Sequence, residues 1–210
     1  MKAIEWQRFL QEQRDRYGKS LFTPTELAHA DARRTAPIGI ALQRLVDQGV
    51  IQRYAEGRYG LPGAVRIEQL VPALDEGAYV TGLYALHRHG MATQQPSEIR
   101  CFTNRRHNRS RTRNTPLGRI VFVCITSSVY RRPKEPAMAE PEQALCDFVY
   151  ECRKKGMTPD SLVTLRNLNR LRADIISEHL PRYPATVARE MARLKTRSPA
   201  PFPPPYQCFS

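Results

Sequence analysis

The stretch L-Q-R-L-V-D-Q-G-V-I-Q-R-Y-A-E-G-R-Y-G-L, residues 42–61, decides the fold of the amino-terminal part of the chain. Its first residues continue a run of apolar positions at helical spacing that begins at Ile38, and Gly49 is a typical helix stop. The β-branched and aromatic runs at residues 50–54 and 58–61 flank Glu56-Gly57, a pair typical of tight turns. The stretch therefore predicts a helix that leads directly into a β-hairpin.

Two further helices are predicted before this stretch. A first helix ends near Tyr17, where Gly18 can close it. The sequence T-P-T-E at residues 23–26 is a capping box with proline at the first helical position, and it starts a short second helix that runs to about Ala30. Thr35 is the expected cap of the third helix. Three helices followed by a hairpin is the element order of a winged helix-turn-helix, whose third helix can enter the major groove of DNA.

Seven polar residues of this predicted domain are candidate DNA contacts, because they fall where the groove and the phosphates would lie. They are Arg33, Arg34 and Thr35 near the start of the third helix, Gln43 and Arg44 further along it, and Arg53 and Arg58 in the hairpin. An alternative stays open, since winged helices also serve as protein-interaction modules and solvated arginines are common on any surface.

The positive charge of the chain is concentrated in one central stretch. Lys and Arg number 33 against 20 Asp and Glu, a net charge of +13, and residues 100–134 hold ten basic residues and no acid. Residues 104–114, which we predict to be an irregular loop and call the basic arm below, contain no apolar residue. We therefore expect the arm to be mobile when unbound and to contact nucleic-acid phosphates. A solvated hairpin tip is the alternative. The arginines of the arm are Arg105, Arg106, Arg109, Arg111 and Arg113.

The remainder of the chain predicts an α+β protein in which the winged helix-turn-helix is followed by a small sheet flanked by helices. A helix is expected over residues 78–91, strands over 97–103 and 119–125, a helix over 138–150, another start at Thr158-Pro159 and a last helix over 185–195. The predicted divisions are a DNA-binding domain at 1–62, a linker at 63–72, a second domain at 73–197 and a proline-rich tail at 198–210.

Several functions are excluded by what the sequence lacks. No apolar run approaches the roughly 20 residues that cross a bilayer, which predicts a cytoplasmic protein without a membrane partner. The five cysteines are odd in number and have no C-x-x-C pair, so we expect reduced thiols and no metal site. Neither a carboxylate cluster around Glu98-Ile-Arg100 nor a phosphate-binding glycine loop is present. We therefore expect no catalytic residues, no cofactor and no enzymatic activity, with Cys146 a core residue rather than a nucleophile.

Three blocks together resemble the AbiEi antitoxins of type IV toxin-antitoxin systems. They are Y-V-T-G-L-Y-A-L-H-R-H-G-M at residues 79–91, T-P-L-G-R-I-V-F at 115–122 and A-E-P-E-Q-A-L-C-D-F at 139–148. The resemblance covers residues 22–150. It implies a repressor that binds repeats in the promoter of its own operon and antagonises a nucleotidyltransferase-like toxin without a stable complex. It also implies scaffold roles for Glu142 and Asp147. The alternative is an ordinary winged-helix transcription factor whose second domain senses a ligand or a protein.

Overall fold

The computed structural model describes residues 1–31, 38–107, 111–133 and 136–197. The chain is α+β, as predicted. It divides into two compact units that are interleaved along the sequence. The first unit consists of the described residues of Met1–Val80 and Ser97–Met138, and the second consists of Thr81–Pro96 and the described chain from Ala139 to Arg197. Among the described residues, no helix has both the length and the apolar character that crossing a membrane requires.

The first unit contains the amino-terminal helices and every strand of the described residues. Its helices are α1 (Ala3–Tyr17), α2 (Pro24–Ala30), α3 (Ile38–Asp47) and α4 (Ile67–Leu74). Its strands are β1 (Gln52–Ala55), β2 (Arg58–Gly60), β3 (Tyr79–Val80), β4 (Glu98–Thr103), β5 (Thr112–Thr115) and β6 (Gly118–Cys124).

Helices α1 to α3 and the β1–β2 hairpin form in the predicted order. Gly18 ends α1 with φ of 64°, and the side chain of Thr23 accepts a hydrogen bond from the backbone N–H of Glu26 at the start of α2. Thr35, the predicted cap of α3, lies outside the described residues. The three helices and the residues that lead into the hairpin share one apolar cluster. It is formed by Trp6, Leu10, Phe22, Leu27, Leu42, Leu45, Val50 and Ile51.

A four-stranded sheet with the order β3-β4-β6-β5 follows in the first unit. Strands β4 and β6 confirm the two predicted strands, and they pair in parallel. The expectation that the whole basic arm is an irregular loop was wrong, because its last three described residues begin strand β5. This strand pairs antiparallel with β6 through its backbone. Because pairing uses only backbone groups, the polar side chains of β5 can stay in contact with water.

The predicted linker at residues 63–72 was also wrong, because helix α4 begins inside it. Leu70 and Val71 of α4 are fully buried, and Ile67 is nearly so. These three residues have the spacing of one helix face, which would indicate a helix in the sequence. The pattern is weak here because the helix is short and contains Pro72, a residue that usually interrupts helices. Similarly, the predicted helix over residues 78–91 divides into strand β3 and a shorter helix.

The second unit is helical. Its α-helices are α5 (Gly82–Arg88), α6 (Pro141–Lys154), α7 (Ala173–His179) and α8 (Ala185–Arg197), and single 3-10 turns occur at Pro159–Ser161, Leu168–Arg170 and Leu180–Arg182. Helix α6 contacts each of the other three α-helices and is buried along most of its length. The predicted domain over 73–197 therefore differs from the structure, which groups the sheet with the amino-terminal helices.

Two buried acids of α6 connect it to its surroundings in the second unit. Asp147 accepts hydrogen bonds from the hydroxyls of Thr81 and Tyr183, each at 2.7 Å. Glu142 accepts from the backbone N–H of Arg172 at 2.9 Å. Since these contacts join segments that are far apart in sequence, both acids occupy positions that stabilise the fold, in agreement with the scaffold role that the resemblance implies.

We expect the replacement Asp147→Ala to lower the free energy of unfolding by about 3 kcal/mol or more, because it leaves two buried hydroxyls without their charged acceptor. Tyr183→Phe removes one of the two hydrogen bonds and should cost about half as much. Chemical denaturation followed by circular dichroism measures both. Asp174→Ala, which removes an exposed carboxylate from α7, is the control and should cost less than about 1 kcal/mol. Equal losses for the three variants would contradict the scaffold role.

Candidate nucleic-acid interface

Helix α3 exposes one polar face to solvent. Leu42 and Leu45 turn into the apolar cluster of the first unit, and the opposite face presents Gln43 and Arg44, both exposed as a DNA contact requires. The side-chain amide of Gln43 donates to Asp47 one turn later, with Nε2 at 2.8 Å from Oδ1. The other candidates of this segment, Arg33, Arg34 and Thr35, lie outside the described residues.

The two arginines of the hairpin differ in their surroundings. Arg53 of β1 is exposed. Arg58 of β2 is half-buried, and its guanidinium donates to the carbonyl of Ala73 in the last turn of α4 at 2.9 and 3.2 Å and to the carbonyl of Gly57 at 3.1 Å. This arginine therefore stabilises the end of a helix, where carbonyl groups lack partners within the helix. Of the two, Arg53 is the one placed to contact a ligand.

The start of the basic arm is attached to the first unit by the carboxylate of Asp75, which is 1% exposed. Asp75 accepts hydrogen bonds from the hydroxyl of Thr103 at 2.7 Å, from Nε2 of His107 at 2.9 Å and from the backbone N–H of Gly77 at 3.0 Å. The His107 ring also stacks on Phe122 with 4.6 Å between centroids. The start of the arm thus has a partner distant in sequence, because His107 is bound to Asp75 and stacked on Phe122.

The electrostatics of Asp75 favour its charged form. Burial opposes ionisation, but the hydrogen bonds from Thr103, His107 and Gly77 outweigh burial and lower the pKa of the carboxyl below its usual range. The guanidinium of Arg105 lies 4.0 Å from this carboxylate and remains 70% exposed. The buried carboxylate of Asp75 thus lies near Arg105, but the distance between them is too long for a close ion pair.

The arginines of the basic arm are distributed on both sides of its undescribed part. Arg105 and Arg106 are exposed at its start, and Arg111 is exposed immediately before β5. Arg113 is half-buried within β5, where its guanidinium donates to the carbonyl of Thr112. Arg109 lies outside the described residues. Three arm arginines therefore present their charge to solvent.

An open cleft in the first unit brings the hairpin and the basic arm together. It has a volume of about 420 Å³. Arg53, Tyr54, Ala55 and Glu56 line it from the hairpin, and Asn114, Thr115 and Pro116 line it from β5 and the turn that follows. Arg53, one of the predicted contacts, thus lies beside the end of the basic arm although about 60 residues separate the two segments in sequence. Sequence reasoning missed this proximity, because no local pattern reports a contact between two edge strands.

Arg119 is exposed at the start of β6, and it was not among the predicted contact residues. Glu98 interacts with this arginine at 3.5 Å and with Arg100 at 3.2 Å. The side chains of Glu98 and Arg119 are directly opposite each other in the parallel pairing of β4 and β6. Glu98, the acid closest to a nuclease motif in the sequence, therefore forms ion pairs with two arginines.

The other groups considered for chemistry have structural surroundings. His87 and His89 of the second unit contact the backbone carbonyls of Ala92 and Ala139 at 3.3 and 2.9 Å. Burial, followed by the nearby charge of Asp147, raises the pKa of the Cys146 thiol to about 12, which disfavours the thiolate that a nucleophile requires. Within the described ranges, no group of three His, Cys, Asp or Glu side chains is placed to hold a metal ion.

The fold resembles that of a solved structure, although comparisons of the sequence find no match. No model of a known protein family matches the chain, and no curated protein matches its sequence. The fold is similar to the crystal structure of the RV2827C protein from Mycobacterium tuberculosis, with a TM-score of 0.56 and 15% sequence identity. The match covers 90% of this chain and 76% of that protein. At this identity the likeness shows a shared fold.

The lowered pKa of Asp75 predicts how stability depends on pH. A carboxyl whose pKa is lower in the folded state stabilises the protein above its unfolded pKa, about 3.9, and loses that contribution as the pH falls through the folded value. We expect Asp75→Asn to lower the free energy of unfolding at pH 7 by about 1–3 kcal/mol. The difference between the native chain and this variant should then shrink below about pH 4.

Denaturant titrations at a series of pH values measure this difference. Glu76→Gln is the control, since it removes the charge of the exposed neighbouring residue and should leave stability nearly unchanged at every pH. A loss for Asp75→Asn that stays constant from pH 7 to pH 2 would mean that the charge of Asp75 contributes nothing.

Proposed function

We propose that this protein is a DNA-binding transcriptional repressor. The observation that carries the proposal is the arrangement of the first unit, in which the hairpin after α3 and strand β5 at the end of the basic arm line one cleft. The first unit has both an exposed polar helix face and several exposed arginines, and these features suit duplex DNA, whose major groove accepts a helix and whose phosphates attract cations.

In this proposal the α1–α3 helices and the hairpin act as a winged helix-turn-helix. Helix α3 enters the major groove with Gln43 and Arg44, and the hairpin is the wing, with Arg53 beside the phosphates. Support comes from the shared apolar cluster, which fixes α3 relative to the residues leading into the hairpin, and from the exposure of all three side chains. Arg58 supports the wing through its hydrogen bonds to α4.

The basic arm supplies sequence-independent affinity in this proposal. Its exposed arginines, Arg105, Arg106 and Arg111, present positive charge to solvent, which suits contacts with phosphates. Asp75 holds the start of the arm against the first unit, so the arm need not lose all of its conformational freedom on binding.

The resemblance to the AbiEi antitoxins extends the proposal to a biological role. We propose that the protein represses its own operon and antagonises a nucleotidyltransferase-like toxin encoded beside it, in the cytoplasm and without catalysis or a cofactor. The block at residues 139–148 supports this role only indirectly, because Glu142 and Asp147 are buried scaffold residues. An ordinary winged-helix transcription factor with a sensing domain is the alternative.

The phosphate contacts predict a specific salt dependence. Each phosphate contact on duplex DNA contributes about −0.9 to the slope of log affinity against log salt concentration. Replacing Arg105, Arg106 and Arg111 together by Ala should flatten that slope by roughly two to three units, while the ratio of cognate to random affinity stays nearly constant. Fluorescence anisotropy with the full chain and a labelled promoter duplex, from 50 to 300 mM salt, measures both quantities.

A variant with the same loss of charge in the second unit provides the control. Arg166, Arg170 and Arg182 are exposed there, and their joint replacement by Ala should change the slope much less. If both triple variants flatten the slope equally, only net charge matters and the basic arm has no particular role. If the native chain does not bind duplex DNA at all, the proposed function fails.

The antitoxin role predicts a growth phenotype. Expression of the neighbouring nucleotidyltransferase-like gene alone should arrest growth, and co-expression of this chain should restore it, although the two proteins should not co-purify. The variant Asp147→Ala should restore growth less well, because it destabilises the unit that the resemblance associates with antagonism. A genomic neighbourhood without such a gene, or growth arrest that this chain does not relieve, would favour the alternative of a sensing transcription factor.

A further inference from the structure

The exposed face of α3 carries an apolar side chain that the fold does not use. Ile40 is 57% exposed, one of the few large apolar side chains left in solvent among the described residues. It precedes Gln43 and Arg44 by three and four residues, and Asp47 follows Gln43 by four, so these four side chains share one helix face. All four are exposed, whereas Leu42 and Leu45 on the opposite face are buried.

The acid on this face requires an explanation. A carboxylate near DNA repels the phosphates and weakens binding, so affinity alone disfavours Asp47 at this position. The contact between Asp47 and Gln43 offers an explanation. Nε2 of Gln43 donates one of its two N–H groups to Oδ1 of Asp47 at 2.8 Å. The amide is then held with its other N–H and its carbonyl oxygen available to a ligand.

The remaining groups of that amide match one base. Adenine presents the N7 acceptor and the N6 donor side by side in the major groove, and glutamine pairs with both. An exposed aliphatic side chain matches a different feature, the methyl group of thymine. Ile40 and Gln43 are three residues apart, about 4.5 Å along the helix axis, which is close to the roughly 3.4 Å between successive base pairs.

We propose that α3 reads two neighbouring A·T pairs, with Gln43 bound to the adenine of one and Ile40 against the thymine methyl of the next. Asp47 is a positioning residue that orients the Gln43 amide. This inference rests on the proposed DNA-binding function and deepens it, since it names the bases that the operator contains.

Selection from a pool of random duplexes with the full chain identifies the preferred site, and analogues that change single atoms then test each contact. Deoxyuridine in place of thymidine removes only the methyl group, and 7-deazaadenine in place of adenine replaces the N7 acceptor by a C–H group. The first change should weaken binding by the native chain about fourfold and binding by Ile40→Ala not at all. The second should cost the native chain about fivefold and leave Gln43→Ala unaffected.

Two substitutions of Asp47 separate positioning from charge. Asp47→Ala should raise affinity for random DNA about threefold at low salt, because it removes a repulsive charge, and should weaken the preference for adenine about fivefold. Asp47→Asn also removes the charge but keeps a carbonyl that accepts from Gln43, so it should raise random affinity equally and retain the preference. Thermal melting of each variant checks that the fold persists.

Each outcome bears on a different part of the argument. If the full chain enriches no sequence and binds no duplex, the proposed function fails and this inference fails with it. If a site is enriched but the analogues weaken the native chain and the variants equally, the inference is overturned and the proposed function stands. If Ile40→Ala leaves methyl discrimination intact but changes the sedimentation coefficient of the free protein, Ile40 belongs to a protein contact and the inference is again overturned.

Discussion

The buried carboxylate of Asp75 is the interaction on which the first unit most depends. It lies just after α4 and binds the end of β4, the start of the basic arm and the turn before β3. Removal of this anion would leave several donors without an acceptor at the place where a helix, a sheet and a charged segment meet. This acid, supplied from outside the basic stretch at residues 100–134, holds His107 at the start of the basic arm.

The elements that the sequence predicted correctly are those with strong local signals. The capping box at Thr23, the glycine after α1 and the turn at Glu56-Gly57 each depend on a few adjacent residues, and the structure has a helix end or a hairpin at each of them. The parallel pairing of β4 with β6 and the place of β5 at the edge depend on contacts between distant segments. Such contacts leave no periodic pattern in a single sequence, so the arm was expected to be an irregular loop.

The same distinction applies to the candidate site. The exposure of Gln43, Arg44 and Arg53 follows from the amphipathic pattern around them. The role of Arg58 could not be predicted, because its acceptor belongs to a helix that was mistaken for a linker. The contact between the hairpin and β5 could not be predicted either, because it is formed by the tertiary fold and not by a local sequence pattern.

The position of β5 has a consequence for the behaviour of the protein in concentrated solution. The unpaired backbone of an edge strand is a template for association with other chains, and proteins blunt such edges with charged residues or with very short strands. At one edge of this sheet is the four-residue strand T-R-N-T, which follows directly after Arg111, and at the other is β3 with only two residues. The charge of Arg111 and Arg113 and the short length of both edge strands therefore oppose edge-to-edge aggregation, in addition to the role that we propose for the arginines in DNA binding.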